Sequence, residues 1–226
     1  RQRLIQRKIN FILGNRYLFV PFLGIFETRT FDEVWDHNTS VSLGLGGQRI
    51  ILAYLNGLIQ NGDNGKVIAK KLGVSPNTIV HGLKKLEFGG HCKLIQNGTA
   101  KEIKFPGRKE LWEKLEDKLE SPVQKILFVS NPPKNLALSG LSALSQKTLL
   151  TEGVKSYAIY KKRYKQIMDV LKPVPEGEGA KLEIWKWNPD LLAKDGVVDP
   201  FSLALSLKSE KDERILIAID EMYPFT

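Results

Sequence analysis

The sequence predicts an α+β protein in which a helix-turn-helix with a β-hairpin wing is followed by a small α/β domain. Three observations support this: the small-residue spacing between Lys66 and Lys85, an Asn-Gly pair between two strand-like segments, and alternating strand-like and helix-like segments after Ser121. With 226 residues, 42% hydrophobic content and a mean hydropathy of −0.21, the chain is long enough for two domains with hydrophobic cores.

The helix-turn-helix is predicted by residues at relative positions one, five and eleven, which are Ala69, Gly73 and Ile79. Ala69 is small enough for a second helix to cross closely. Gly73 supplies the positive φ that ends the first helix. Ser75 is a good N-cap and Pro76 suits the first helical position, so the second helix should begin there.

The second helix has one apolar face, formed by Ile79, Leu83 and Leu86 at spacings of four and three residues. This face should pack on the first helix. The remaining side chains should point outward, namely Asn77, Val80, His81, Lys84 and Lys85.

A hairpin should follow, because Asn97-Gly98 lies between strand-like residues 91–96 and 99–105, and this dipeptide favours two-residue turns. Upstream, Gln48 to Gln60 predicts the first helix of the domain. The glycine-rich residues 44–47 lack a complete nucleotide-binding fingerprint and are expected to form a flexible link into that helix.

Residues 72–75, 78–79 and 83–87 together resemble the winged-helix core of bacterial regulators of the MarR family. The resemblance covers about a quarter of the chain. It implies sequence-specific binding to double-stranded DNA by a prokaryotic transcriptional regulator in the cytoplasm.

The positive charge is concentrated in the same region. Residues 45–110 contain eleven Lys/Arg and four Asp/Glu, a net charge of +7, whereas residues 151–226 have a net charge of −1. A phosphate-binding surface requires such local excess. An ordinary charged surface on a protein-binding winged helix is the alternative.

The DNA-binding hypothesis assigns Asn77, Thr78 and His81 to base edges or phosphates, and Val80 to a thymine methyl group. Exposed lysines of the helix and hairpin should contact phosphates. The complete predicted DNA-binding set is Ser75, Asn77, Thr78, Val80, His81, Lys84, Lys85, Lys93, Asn97, Gly98 and Lys101.

The sequence gives little support for a disulfide, a metal site or a catalytic site. The single cysteine, Cys92, excludes an internal disulfide, and with His91 it supplies too few ligands for tetrahedral zinc. We expect a small buried thiol and a partly exposed ring, with oxidation sensing as the alternative. Serine and histidine positions give no nucleophile-base pattern, so we expect neither an enzyme nor a cofactor or metal.

The sequence suggests four blocks: residues 1–44 of uncertain fold, the winged helix at 45–105, a linker helix at 106–120, and the α/β domain at 121–226. Tyr17 to Phe26 is consistent with a buried strand pair or a loop packed on another subunit, and Phe31 to Trp35 with a short helix. The linker helix has an apolar face of Leu111, Trp112, Leu115 and Leu119, which predicts a homodimer or packing on the C-terminal domain.

The C-terminal domain is assigned to dimerisation, effector sensing or a protein partner. Glu183, Trp185 and Trp187 share one face of a predicted strand and are a candidate ligand or partner surface. The order of the two domains is also similar to that of abortive-infection type IV antitoxins. That resemblance implies an alternative function, repression of the chain's own operon and neutralisation of a toxin.

Overall fold

The computed structural model describes the backbone of residues 11–13, 17–20 and 25–28, and residues 43–146, 148 and 153–225 in full. The protein is a mixed α+β fold. It divides into two compact units, Arg1–Ser40 and Val41–Thr226.

The first unit contains an antiparallel three-stranded sheet of β1 (Phe11–Leu13), β2 (Tyr17–Val20) and β3 (Ile25–Thr28). Tyr17 pairs with Thr28 and Val20 with Ile25. Of the two alternatives for this stretch, the strand pair is therefore confirmed. The short helix expected at 31–35 lies outside the described residues.

Three helices open the second unit: α1 (Gly44–Leu55), α2 (Gly65–Leu72) and α3 (Pro76–Phe88). The expected flexible link at residues 44–47 is wrong, because these glycines form the first turn of α1. They allow α1 to approach α3: a Cβ at Gly82 would lie 3.0 Å from the carbonyl carbon of Gly46 and 3.1 Å from the amide nitrogen of Gly47. The predicted helix Gln48 to Gln60 therefore begins and ends too late.

The turn between α2 and α3 is as predicted. Gly73 has φ 60° and ψ 39°, and Pro76 is the first residue of α3. The Ser75 side chain caps α3 by accepting a hydrogen bond from the Thr78 amide at 3.3 Å. The predicted inner face of α3, Ile79, Leu83 and Leu86, is buried.

A two-stranded hairpin follows, with β4 (Lys93–Asn97) and β5 (Ala100–Lys104). Its loop differs from the prediction by one residue, because Asn97 pairs with Ala100 and the two loop residues are Gly98 and Thr99. Gly98 has φ 58°, the positive value that glycine supplies at the first position of such loops.

Helix α4 (Arg108–Leu115) continues as a short 3-10 helix, Glu116–Lys118. Its apolar face is buried within the same chain, and the Trp112 ring lies 5.0 Å from Phe201 and 5.3 Å from Tyr223, measured between centroids. Pairing of this face with a second copy is therefore wrong. The alternative, packing on the C-terminal part of the same chain, is confirmed.

A four-stranded mixed sheet forms the C-terminal part, in the order β6-β9-β8-β7. Its strands β8 and β9 are parallel, and the outer pairs are antiparallel. The strands are β6 (Val123–Val129), β7 (Ala137–Leu138), β8 (Ser156–Tyr160) and β9 (Ala180–Trp185).

Helices connect and follow these strands. They are α5 (Gly140–Ser145), α6 (Lys161–Ile167), α7 (Pro200–Ser206) and α8 (Glu213–Glu221), with 3-10 turns at Met168–Val170 and Pro189–Leu191. The Asp199 and Asp212 side chains cap α7 and α8 by accepting hydrogen bonds from the amides of Ser202 and Arg214. Met168, which follows α6, is 49% exposed.

Both faces of the sheet are covered. One face of the sheet belongs to a hydrophobic core that it shares with helices α1, α2, α3, α4, α7 and α8. On the other face, Ile159, Leu182 and Ile184 pack against α6. Glu183, Trp185 and Trp187 lie in the first core and are at most 4% exposed. They do not form the exposed ligand or partner surface that the sequence suggested, because a central strand is buried on both sides.

Candidate nucleic-acid interface

The exposed face of α3 is formed by the side chains that its periodicity placed outside. Asn77, Val80, His81 and Lys84 are exposed, with Val80 at 46%. An exposed valine among polar and basic side chains is available for a partner. Lys85, which was expected to point outward with them, is half-buried. Its Nζ lies close to the Gly44 backbone at the start of α1.

At the start of α3, two predicted contact residues are engaged with each other. The Ser75 and Thr78 hydroxyl oxygens are 2.8 Å apart, and Ser75 also accepts from the Thr78 amide. Their hydroxyls therefore hold the helix terminus in place. Because Thr78 also borders Gly46 of α1, it faces partly toward that helix.

The hairpin separates two predicted phosphate contacts. Lys93 pairs with Lys104, whereas Lys101 pairs with Gln96. Because side chains alternate along a strand, Lys93 and Lys101 point to opposite faces of the hairpin. Both are exposed, but the structure does not bring them together.

Three acidic side chains near α3 and the hairpin form hydrogen bonds or an ion pair with nearby residues. Glu102 Oε1 accepts from the Asn97 side-chain amide at 2.7 Å, Glu87 accepts from the Leu94 amide, and Asp63 forms an ion pair with Lys71 at 2.7 Å. Asn97 is thus held at the base of the hairpin loop. These interactions leave Lys84, Lys93 and Lys101 as exposed cations along α3 and the hairpin.

His91 and Cys92 lie beside a concavity of about 850 Å³ below the hairpin. Contrary to the expected partly exposed ring, His91 is buried, and burial together with the charges of Lys114 and Lys118 lowers its pKa to about 4. Burial raises the pKa of the Cys92 thiol to about 12, with Glu87 adding to the effect. A protonated thiol is a poor nucleophile and metal ligand, so this pair has little redox reactivity at neutral pH.

A groove of about 640 Å³ lies beside the turn between α2 and α3. One side is formed by Arg49, Gly73 and Ser75, and the other by the start of α6 and the segment after β9. Its basic side chains are Arg49, Lys161, Lys162 and Lys186. None of the four is in the DNA-binding set predicted from the sequence, and the basic run at residues 161–163 is a local signal for Lys161 and Lys162.

Comparison with protein-family models, curated protein sequences and solved structures gives no match for this chain. The geometry of α3, the hairpin and the groove is therefore the basis for any functional proposal. Within the part of the chain that the structure describes, no cluster of three or more His, Cys, Asp or Glu side chains is suited to a metal ion. None of the helices described there has the length and apolar character to span a bilayer.

Proposed function

We propose that this chain is a sequence-specific double-stranded DNA-binding protein of the winged helix-turn-helix type that regulates transcription. The observation that carries the proposal is the exposed, basic and polar face of α3, a helix fixed at its start by Gly73, Ser75 and Pro76. A two-stranded hairpin with exposed lysines follows it directly.

In this proposal α3 enters the major groove. Asn77 and His81 reach base edges, and Val80 contacts a thymine methyl group. Lys84, Lys93 and Lys101 neutralise phosphates, and because Lys93 and Lys101 lie on opposite faces of the hairpin, they contact different phosphates.

The experiment replaces two exposed lysines, one from each element. Lys84→Ala with Lys101→Ala should weaken binding to all duplexes and lower the slope of log K against log salt by up to about two, because each lysine displaces roughly one counterion. Fluorescence anisotropy across a salt series measures the slope. Lys125→Ala with Lys172→Ala is the matched control, since both lysines are exposed and lie outside α3 and the hairpin. Equal slopes for the two double variants would contradict the proposal.

We further propose that two copies read a two-fold operator, because one helix and one hairpin cover only a few base pairs. The two α3 helices would then lie about 34 Å apart, one duplex turn. Since the apolar face of α4 is occupied, the dimer must use another surface. Light scattering with and without DNA tests this, and a monomer mass in both conditions would contradict it.

We propose the antitoxin function as a second candidate, with the toxin contact at two adjacent exposed apolar residues on α8, Leu216 (44%) and Ile217 (52%). Deleting the C-terminal part cannot test this, because that part shares a core with α1 to α4. Instead, Leu216→Asp with Ile217→Asp should abolish protection of cells against the product of an adjacent toxin gene and leave DNA binding intact. Met168→Asp, at another exposed apolar residue, should retain protection, and unchanged protection in the double variant would reject this function.

A further inference from the structure

We propose that the groove beside the α2–α3 turn binds the phosphodiester backbone of the same DNA, so that the C-terminal part of the chain contributes directly to the DNA interface. This inference rests on the proposed function. It adds Lys161, Lys162, Lys186 and Arg49 to a contact surface that the sequence confined to residues 75–101.

The first argument is charge. Three segments that are separate in sequence bring four cationic side chains to one groove, and none of the described residues that line it is acidic. Residues 151–226 have a net charge of −1, so the groove is not part of a generally basic C-terminal surface. Positive charge is therefore concentrated at this place within a nearly neutral part of the chain.

The second argument is how the cations are held. Arg49 donates from Nη2 to the Leu72 carbonyl oxygen at 2.9 Å, which fixes its guanidinium at the end of α2. Lys186 forms an ion pair with Glu120 at 3.0 Å. Lys162 Nζ lies 6.0 Å from the centre of the Tyr160 ring, at the limit of a cation–π contact. Among these contacts, that of Lys186 is with a carboxylate, whereas Arg49 contacts a carbonyl oxygen and Lys162 an aromatic ring, so these contacts do not offset the charges of Arg49 and Lys162.

The third argument is position. Ser75 and Thr78 line the groove and also form the start of α3. The N-terminus of a thirteen-residue helix carries partial positive charge and attracts phosphate. A duplex with its major groove on α3 therefore brings one backbone strand to this helix terminus, and Lys161 and Lys162 face the same space from the opposite side.

The occupant is a continuous phosphodiester backbone because the groove is open and adjoins the exposed face of α3. Tyr160 and Asn188 add a hydroxyl and an amide group, which are common partners of phosphate oxygens. Because these contacts go to phosphates and not to base edges, they should raise affinity equally for all sequences.

The test uses the full chain and a short random-sequence duplex, whose binding needs no known operator. Lys161→Ala with Lys162→Ala should lower the salt slope by up to about two, as should Lys84→Ala with Lys101→Ala, and combining the pairs should lower it by up to about four. Lys125→Ala with Lys172→Ala should leave it unchanged. Both lysines of the groove pair are at least partly exposed, so circular dichroism melts of that variant should match the parent.

The outcomes separate the two proposals. If the α3 and hairpin pair lowers the slope while the groove pair behaves like the control, the groove inference is overturned and the proposed function stands. If the control pair lowers the slope as much as the groove pair, the effect is one of total charge and the groove inference is again overturned. If the parent protein binds no duplex at low salt, both proposals fail.

Discussion

The helical region at residues 44–104 and the sheet region at residues 123–225 specify their structures in different ways. In the helical region, adjacent residues set each boundary: Asn64 and Ser75 cap helices and Gly73 ends one. In the sheet region, β9 obtains its position from β6 and β8, which come from distant parts of the sequence and pair in opposite senses. The proposed DNA-binding elements can therefore be predicted from adjacent residues, whereas the positions of the strands in the sheet region cannot.

The two regions nevertheless share one core and several specific contacts. The Asn56 side-chain amide donates to Asp199 Oδ1 at 2.8 Å, which links the end of α1 to the cap of α7. Gln48 bonds the backbone of Glu120 in both directions, through its Nε2 and its Oε1. We therefore expect the regions to unfold together, although the sequence suggested separate domains.

The largest expected effect comes from removing the side chain that joins the regions. Trp112→Ala should destabilise the fold by about 3–5 kcal/mol, because the buried ring packs against Phe201 and Tyr223 and its loss leaves a cavity. Urea unfolding followed by circular dichroism and by fluorescence should show one shared transition at lower urea. Trp112→Phe, which keeps part of the ring volume, should cost less. Two separate transitions in the parent protein would contradict the shared core.

A smaller effect tests the close contact of α1 with α3 inside the helical region. Replacing Gly by Ala inside a helix stabilises it by roughly 0.5–1 kcal/mol where the new methyl group meets no other atom. In Gly82→Ala the new Cβ would meet Ile50 Cδ1 at 2.9 Å and the α1 backbone at 3.0 Å, so we expect a net loss of about 1–3 kcal/mol.

Gly107→Ala is the matched control for that substitution. A Cβ at Gly107 meets no atom within 4 Å and the residue has a negative φ, so a change of only a few tenths to about 1 kcal/mol is expected from its N-cap position. Thermal melts of the two variants compare them directly. If Gly82→Ala melts above the parent, the helices do not approach as closely as the structure shows.

The sequence predicts α2, α3, the turn between them and the hairpin because each depends on short-range chemistry. It misplaced α1 because Gly46 and Gly47 were interpreted as a flexible segment, and only the facing Gly82 shows that they permit close helix packing. It missed the groove because Lys161 and Arg49 meet only through the tertiary fold. The burial of Glu183 was missed for the same reason, since β9 is central only once its two neighbours are known.

An effect of a different kind, on the pH dependence of stability, concerns a buried histidine at the junction of α3 and the hairpin. Burial and the charges of Lys114 and Lys118 lower the pKa of His91 to about 4, from 6.5 for the ordinary side chain. Between these two values the unfolded chain binds more protons at this residue than the folded chain does. Protonation therefore favours unfolding, and the contribution of His91 to stability is complete above about pH 6.5 and is lost as the pH falls toward about 4.

His91→Gln removes this titration, so urea midpoints of the variant should decline less than those of the parent between pH 6.5 and 4. His81→Gln is the control for exchanging a histidine for a glutamine, because His81 is exposed on α3. The same pair of variants also separates stability from recognition. His81→Gln should alter DNA sequence preference if α3 reads bases, whereas His91→Gln should not. Parallel pH profiles for the parent and His91→Gln would show that this ring is not held neutral by the fold.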